Sequence, residues 1–318
     1  IGFSMPDLSP DSLARAALHT VAYADIFDYP LTAREIHHYL TGVRAPLEKV
    51  VQILQDESFF SQTGKYFTLP GREAIVAIRT EREARSRALL PHAIRYGRLL
   101  GALPFVRMVA LTGSLAVLNQ SKDADFDYLL VTRPGRLWTA RAFALAFNRL
   151  TRLQGYTLCP NLILSETALE WPVRDLYSAR EFCQMIPITG LDVYARLMAA
   201  NLWVLSFLPN AGMESGSSPP LSQRRVAALQ TLFELPLRGK LGDGFESWEM
   251  GRKIARFSRQ AGIGAETVFS ADVCQGNFDH HGSWTRKAFE KRLAEFELQS
   301  SLPRALSGVS AETKRGGA

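Results

Sequence analysis

The beginning of the chain carries apolar residues at helical spacing in three successive segments. They predict helices over SLARAALHTVAYADIF, DYPLTAREIHHYLTG and PLEKVVQILQDES. The second helix has Thr32 at its start and Glu35 three residues later, the spacing of a capping box. The segment FFSQTGKYFTLPG then places two short aromatic and β-branched runs around Thr63 and Gly64. This last pattern predicts a β-hairpin.

Further along, short apolar runs alternate with helical patterns, which predicts a mixed α and β region after one long leading helix. The predicted strands are FVRMVALTG, DFDYLLVT and CPNLILSE, and the predicted helices between them are SLAVLNQS and GRLWTARAFALAFNRLTRL. From Asp175 to Pro209 apolar residues occupy nearly every face, which predicts buried helices interrupted at Pro187 and Gly190. The predicted fold class is therefore α+β, a small mixed sheet flanked by helices.

These patterns divide the chain into three regions. Residues 1–72 form the module of helices and hairpin, residues 73–170 form the mixed region with its leading helix, and residues 171–318 form a mainly helical part with a Gly/Ser/Pro-rich loop near 210–222. In the last region Asp279, His280 and His281 are adjacent, but neighbouring histidines point apart in a strand and no His-x3-His spacing exists. A loop before a helix capped by Ser283 is preferred to a metal site.

Composition excludes several classes of protein. The 318 residues are 47% hydrophobic with a mean hydropathy of −0.04, and no apolar run is long enough to cross a membrane. The N-terminal segment lacks the features of a signal peptide, so a cytoplasmic protein with reduced thiols and no membrane contact is predicted. The net charge of +6 permits contact with nucleic acid without demonstrating it. P-loop, dinucleotide-binding and Gly-x-Ser-x-Gly motifs are absent from the sequence.

The stretch TGSLAVLNQSKDADFDYLLV carries the candidate chemistry. Alternate side chains of a strand share one face, so Asp125 and Asp127 are predicted to project to the same side. Two close carboxylates repel each other, and burial strengthens the repulsion unless a cation lies between them. Magnesium or manganese is the natural cation, because hard oxygen ligands suit it and nucleotide phosphates complete its coordination.

This region resembles the nucleotidyltransferase superfamily of DNA polymerase β. The shared pattern is a strand that ends in Gly-Ser, then a helix, and then an Asp-x-Asp at the start of the next strand. The matching pieces are LTGS at residues 111–114 and DFDYLLV at residues 125–131, and the resemblance covers about residues 104–170. The whole chain is similar to a bacterial group of nucleotidyltransferase-domain proteins with a winged-helix-like N-terminal module. That similarity supplies no substrate.

The resemblance implies roles for particular residues. Gly113 would let the backbone approach a triphosphate, and Ser114 with the following helix N-terminus would donate to its β and γ oxygens. Asp125 and Asp127 would hold two metal ions for an in-line displacement at the α-phosphorus. Asp123, which precedes the apolar run, is either an additional metal ligand at the edge of the site or a turn residue.

Lys122 is a candidate for neutralising phosphate, although a solvated lysine is the preferred interpretation. The implied cofactor is Mg²⁺ or Mn²⁺, the implied substrate is an NTP, and the acceptor is a protein, a small molecule or a nucleic acid. The predicted reaction transfers a nucleoside monophosphate to that unidentified acceptor.

One position departs from the family pattern. A third carboxylate is expected on the next strand, where the alignment places Asn161, which cannot take a proton and is a weaker metal ligand. Glu166 would point to the opposite face of a regular strand. A base recruited from Asp123 or Asp175, an acceptor that needs no base, and a degenerate site that only binds nucleotide all stay open.

The N-terminal module leaves a second function open. Three helices followed by a hairpin resemble a winged helix-turn-helix, whose third helix enters a DNA groove. Here that helix offers only Lys49 among Glu48, Asp56 and Glu57, so a structural or protein-contact role is favoured over DNA binding. The alternative function is a nucleotide-sensing regulator or adaptor that uses this module to bind DNA or protein.

Overall fold

The computed structural model of the chain describes residues 10–55, 59–122, 125–171, 173–212, 230–259, 264, 266–276 and 280–301. The helices are α1 (Pro10–Asp25), α2 (Ala33–His38), α3 (Leu47–Ile53), α4 (Ile75–Gly101), α5 (Gly113–Ala116), α6 (Leu137–Arg152), α7 (Leu176–Gln184), α8 (Leu191–Ala200), α9 (Val204–Phe207), α10 (described over residues 230–234), α11 (Lys240–Phe257) and α12 (His281–Ser301). The strands are β1 (Leu31–Thr32), β2 (Ser61–Thr63), β3 (Tyr66–Thr68), β4 (Val106–Leu111), β5 (Phe126–Thr132), β6 (Leu158–Ser165), β7 (Ile186–Thr189), β8 (Thr267–Phe269) and β9 (Val273–Gly276).

The strands form two sheets. A three-stranded sheet has the order β1-β3-β2, and a six-stranded sheet has the order β7-β4-β5-β6-β9-β8. In the larger sheet β5 and β6 are parallel, and the other neighbouring pairs are antiparallel. A mixed sheet flanked by helices confirms the predicted α+β class.

The N-terminal helices and hairpin form where the sequence predicts them. Thr32 caps α2 by accepting a hydrogen bond from the Glu35 N–H, and the Glu35 carboxylate accepts one from the Thr32 N–H, so the predicted capping box is present. Arg79 of α4 then pairs with Glu35. Apolar residues of α12 join the core of this module, Phe296 as a buried member. These contacts join the beginning of the chain both to α4 and to its last described helix.

Each face of the larger sheet is covered by helices. Residues of α4, α6 and α11 pack on the face that holds Val109, Tyr128 and Ile163. Residues of α7, α8 and α9 pack on the face that holds Leu129 and Val131. Alternation along a strand puts Asp127 on the same face as these last two residues, so its carboxylate is directed toward the α7 layer.

Three strands lie in the part of the chain that the sequence predicts as mainly helical. The segment between α7 and α8 is β7, which pairs with β4 and contains Pro187. A proline fits there because β7 is an edge strand of the sheet. The other two strands, β8 and β9, extend the sheet beyond β6. The interruption at Pro187 is therefore a strand rather than a break between helices.

Two local predictions need correction. The helix predicted over SLAVLNQS is a single turn, because Leu118 has a positive φ of 58° and the Asn119 N–H bonds the Ser114 carbonyl at 2.8 Å. Ser283 does not cap the last helix, which begins at His281. Glu266 accepts hydrogen bonds from the N–H groups of Gly282 and Ser283 instead.

Candidate active site

A cavity of about 450 Å³ lies between the α7 side of the larger sheet and the N-terminal module. The module contributes aromatic residues from the end of α1 and the loop that follows it. The lining residues used below are Tyr23, Phe27, Tyr29, Thr112, Gly113, Ser114, Asp127, Cys159, Asn161, Tyr177, Arg180, Glu181, Gln275, His281 and Thr285. Segments far apart in sequence therefore share one enclosed space.

Gly113 follows β4 after Thr112 and packs against Asp127. Its φ is +67°, a conformation that L side chains rarely adopt, and a Cβ at this position would overlap the Asp127 carboxylate. The preceding Thr112 N–H donates to the Asp127 carbonyl at 2.9 Å, which fixes the turn beside β5. Both the backbone conformation and the space at this turn require glycine.

Asp125 and Asp127 lie close enough for their charges to interact. Asp125 is exposed just before β5, and Asp127 is half-buried inside the strand. Burial, and secondarily the charge of Asp125, raises the pKa of Asp127 to about 7, although a hydrogen bond with Cys159 opposes the shift. The two carboxylates that the sequence predicts on one side are therefore coupled in the structure.

Glu181 of α7 faces the same space from the opposite wall. Burial raises its pKa to about 7, and the Asp127 charge adds to the shift. Sequence reasoning did not select Glu181, although a carboxylate inside a helix with apolar residues on nearly every face is a usable signal. The cavity thus holds two carboxyl groups, from β5 and α7, that resist being ionised together.

These raised pKa values predict how stability varies with pH when no divalent ion is present. Asp127 moves from an ordinary pKa of 3.8 to about 7, and Glu181 moves from 4.5 to about 7, so the folded chain binds more protons in this window. The free energy of unfolding is therefore expected to fall by about 1–3 kcal/mol as pH rises from about 5 to 8.

Urea denaturation in EDTA at several pH values measures this slope. The Asp127→Asn/Glu181→Gln double variant, in which neither group titrates, is expected to show a flatter profile. A wild-type stability that rises through the same window would contradict the assignment.

Asn161 lies on the cavity wall, which Asp127 also lines. The register of β5 and β6 shifts by one residue after Tyr128, which pairs with Pro160, while Leu129 pairs with Leu162. Asn161 is the extra residue of β6 at this irregularity. Asn161, at the position where a third carboxylate is expected, therefore lies on the cavity wall and carries an amide.

The other sequence candidates are placed as follows. Ser114 lines the cavity, whereas Lys122 is exposed and is not among the described residues of its wall. Asp123 lies outside the described residues. Asp175 caps α7 by accepting a hydrogen bond from the Ser178 N–H at 2.8 Å, and Glu166 pairs with Arg196. Asp175 and Glu166 therefore each have a partner elsewhere and are not among the described lining residues of the cavity, whereas the alternative base Asp123 is not tested.

Four buried polar atoms of the cavity residues have no hydrogen-bond partner within the described part of the chain. They are Thr112 Oγ1, Arg180 Nε, Gln275 Oε1 and Thr285 Oγ1. Unsatisfied buried groups are rare in folded proteins and costly, and they cluster where a ligand supplies the missing partner. The cavity wall is therefore suited to a polar ligand.

The donor set fits a metal that is shared with phosphate. Within the described part of the chain, no three His, Cys, Asp or Glu side chains are placed to hold a metal together. Magnesium in nucleotide sites is usually held by one or two carboxylates and by substrate phosphates. Asp125 and Asp127 supply two carboxylates, and burial first and the Asp125 charge second raise the pKa of Asp127, so a bound cation would stabilise its ionised form.

Comparison with known proteins yields no relative: no protein family, curated protein or solved structure matches the chain. Among the described helices none is both long and apolar enough to cross a lipid bilayer.

Proposed function

We propose that the protein is a metal-dependent nucleotidyltransferase that transfers a nucleoside monophosphate from an NTP to an acceptor hydroxyl or amine. The observation that carries the proposal is the contact of Gly113 with Asp127, which places a residue without a side chain against a carboxylate on the wall of the cavity. We further propose that β4, β5 and β6 are the core of a polymerase β-type fold and that the N-terminal module is a winged helix.

The chain's own groups divide the work. The backbone N–H groups of Gly113 and Ser114 would bind the triphosphate, and Asp125 and Asp127 would hold Mg²⁺ or Mn²⁺. Because α5 is a single turn, individual N–H groups rather than a helix dipole would bind the triphosphate. The metal, when bound, would neutralise the triphosphate and favour departure of pyrophosphate. The enclosing walls would exclude water, which competes with the acceptor.

Glu181 is the proposed proton acceptor. Asn161 cannot take a proton, but Glu181 faces Asp127 across the cavity, and a carboxyl group with a pKa of about 7 suits general-base chemistry at neutral pH. We propose that its carboxylate receives the proton of the acceptor hydroxyl or amine. This role compensates for the missing third carboxylate on β6.

Glu181→Gln is expected to lower the rate of nucleotide transfer by about 100-fold, while the affinity for NTP stays within a few-fold of wild type, because general-base catalysis acts on the chemical step. Single-turnover kinetics with a separate NTP titration measures both quantities. Glu166→Gln, which removes a carboxylate paired with Arg196 elsewhere on the sheet, is the matched control. Equal rates for Glu181→Gln and wild type would exclude the role.

The proposed reaction can be tested without knowing the acceptor. The protein is incubated with each NTP, Mg²⁺ or Mn²⁺, and fractions of small molecules, proteins or RNA, and pyrophosphate release is followed together with transfer of an α-phosphate label. The proposal is supported if pyrophosphate is released only when both a fraction and the metal are present. The Asp125→Asn/Asp127→Asn variant should then release none. Release of equal size by that variant would contradict it.

The second candidate is a nucleotide-sensing regulator or adaptor, and Asn161 at the cavity wall favours it. In that case the protein would bind NTP and metal with no pyrophosphate release from any fraction. The N-terminal module would then report the bound state to DNA or a protein. Because Tyr23, Phe27 and Tyr29 of that module line the cavity, a bound nucleotide would contact it directly. Either function would use the NTP pool of the cytoplasm, the proposed location.

A further inference from the structure

Arg180 of α7 is buried at the junction between the N-terminal module and the cavity. Only 2% of its surface is exposed. Its guanidinium lies between two tyrosine rings of the module, 4.8 Å from the centre of Tyr23 and 4.6 Å from that of Tyr39. The rings hold the guanidinium plane in place and stabilise its charge in part.

The charge of Arg180 is not paired with a carboxylate in the described part of the chain. Nη2 donates to the Thr20 carbonyl at 3.4 Å, a long hydrogen bond, and Nε has no hydrogen-bond partner among the described residues. Burial lowers the pKa of Arg180, in keeping with this surrounding. A buried charge without a counter-charge is costly, so such a group is suited to a ligand that brings an anion.

Arg79 shows the contrasting arrangement inside the same protein. It is equally enclosed, with 5% of its surface exposed, and it also lies between two tyrosine rings, 4.1 Å from Tyr29 and 4.8 Å from Tyr66. Arg79, however, forms an ion pair with Glu35 at 2.6 Å. Both arginines therefore lie between tyrosine rings, but only Arg79 has a carboxylate partner among the described residues. Arg180, which lines the cavity, has none there.

We propose that Arg180 is an anion-binding residue of the cavity and pairs with a phosphate group of a bound substrate. A guanidinium presents several N–H donors in a planar fork that matches phosphate oxygens. Among the described lining residues, Arg180 is the one Arg or Lys side chain. The inference deepens the proposed function, on which it rests for the identity of the substrate. The phosphate belongs either to the NTP or to a phosphorylated acceptor.

The first experiment uses inorganic triphosphate and inorganic phosphate as probes, in EDTA and at constant ionic strength set with sodium chloride. Thermal unfolding of the wild type is expected to shift upward with the concentration of at least one probe. In Arg180→Met the apparent affinity for that probe is expected to fall at least about 10-fold, the loss of one charged hydrogen-bonded contact. Arg79→Met, the matched control, is expected to have a lower melting temperature and an unchanged response to the probe.

A wild type that responds to neither probe, or an Arg180→Met variant that responds as the wild type does, would overturn the proposal. If Arg180→Met does not fold, Arg180→Lys replaces it, because lysine keeps the charge and removes the planar fork. A weakened response of Arg180→Lys to the probe supports the proposal, and an unchanged response overturns it. A purely structural role would change the melting temperature and leave the response to the probe unaffected.

Titration of NTP with Mg²⁺ separates the two sources of phosphate. An Arg180→Met variant with about 10-fold weaker NTP binding assigns the group to the triphosphate. Unchanged NTP binding, with the response to inorganic phosphate lost, assigns it to the acceptor. Failure of the nucleotidyltransferase proposal has a different signature, because it would appear as no pyrophosphate release from any fraction, or as unchanged NTP binding in the Asp125→Asn/Asp127→Asn variant.

Discussion

Replacing Asp127 with asparagine is expected to lower the rate of pyrophosphate release by about three orders of magnitude, because charge stabilisation at a metal site supplies several kcal/mol of the barrier reduction. The substitution keeps the shape of the side chain beside Gly113 and removes only its charge. A steady-state assay with a responding acceptor fraction measures the effect. Asp125→Asn is expected to cause a loss of similar size.

The same variant is expected to be more stable than the wild type. Burial and the neighbouring Asp125 disfavour the ionised Asp127 carboxylate. Removing this charge should therefore raise the free energy of unfolding by about 1–2 kcal/mol at pH 8 without divalent ions. Asp125 is exposed, so Asp125→Asn should give a smaller gain. An Asp127→Asn variant that is less stable, or that keeps wild-type activity, would contradict this account of the pair.

Gly113→Ala is expected to impair both folding and nucleotide binding. Alanine at φ +67° costs about 1 kcal/mol. Its Cβ would also overlap the Asp127 carboxylate and lie 3.1 Å from the Asp127 Cβ. Displacing a carboxylate inside β5 adds to the cost, so we expect a total loss of about 2–4 kcal/mol of unfolding free energy together with loss of detectable NTP binding.

Gly135 provides a matched control for this substitution. Its φ is +68°, nearly that of Gly113, but nothing lies within 4 Å of a Cβ built there. Gly135→Ala should therefore cost only the backbone contribution, about 1 kcal/mol, and leave NTP binding unchanged. Equal effects of the two substitutions, in urea denaturation and in NTP titration, would show that the contact with Asp127 has no special role.

The local pattern was sufficient to predict the part of the site that is contiguous in sequence. An apolar run that ends at Gly113 and a second that begins after Asp125 predict the two strands and the turn between them, and the structure contains both. The capping box of Thr32 and Glu35 was also predictable, because its chemistry involves residues three positions apart.

The rest of the cavity could not be predicted because it depends on contacts between distant segments. Glu181 and Arg180 are neighbours in one helix, yet one faces Asp127 of β5 and the other lies between Tyr23 and Tyr39. Strand β7 was missed for a related reason. Four residues that contain a proline carry no clear period, and only pairing with β4 makes them a strand.

Isothermal titration of each NTP with Mg²⁺ tests the central claim most directly, with the wild type and the Asp125→Asn/Asp127→Asn variant measured side by side. The account predicts that the wild type binds at least one NTP only when the metal is present and that the double variant loses this binding. A wild type that binds no NTP with either Mg²⁺ or Mn²⁺, or a double variant that binds as tightly as the wild type, would contradict it.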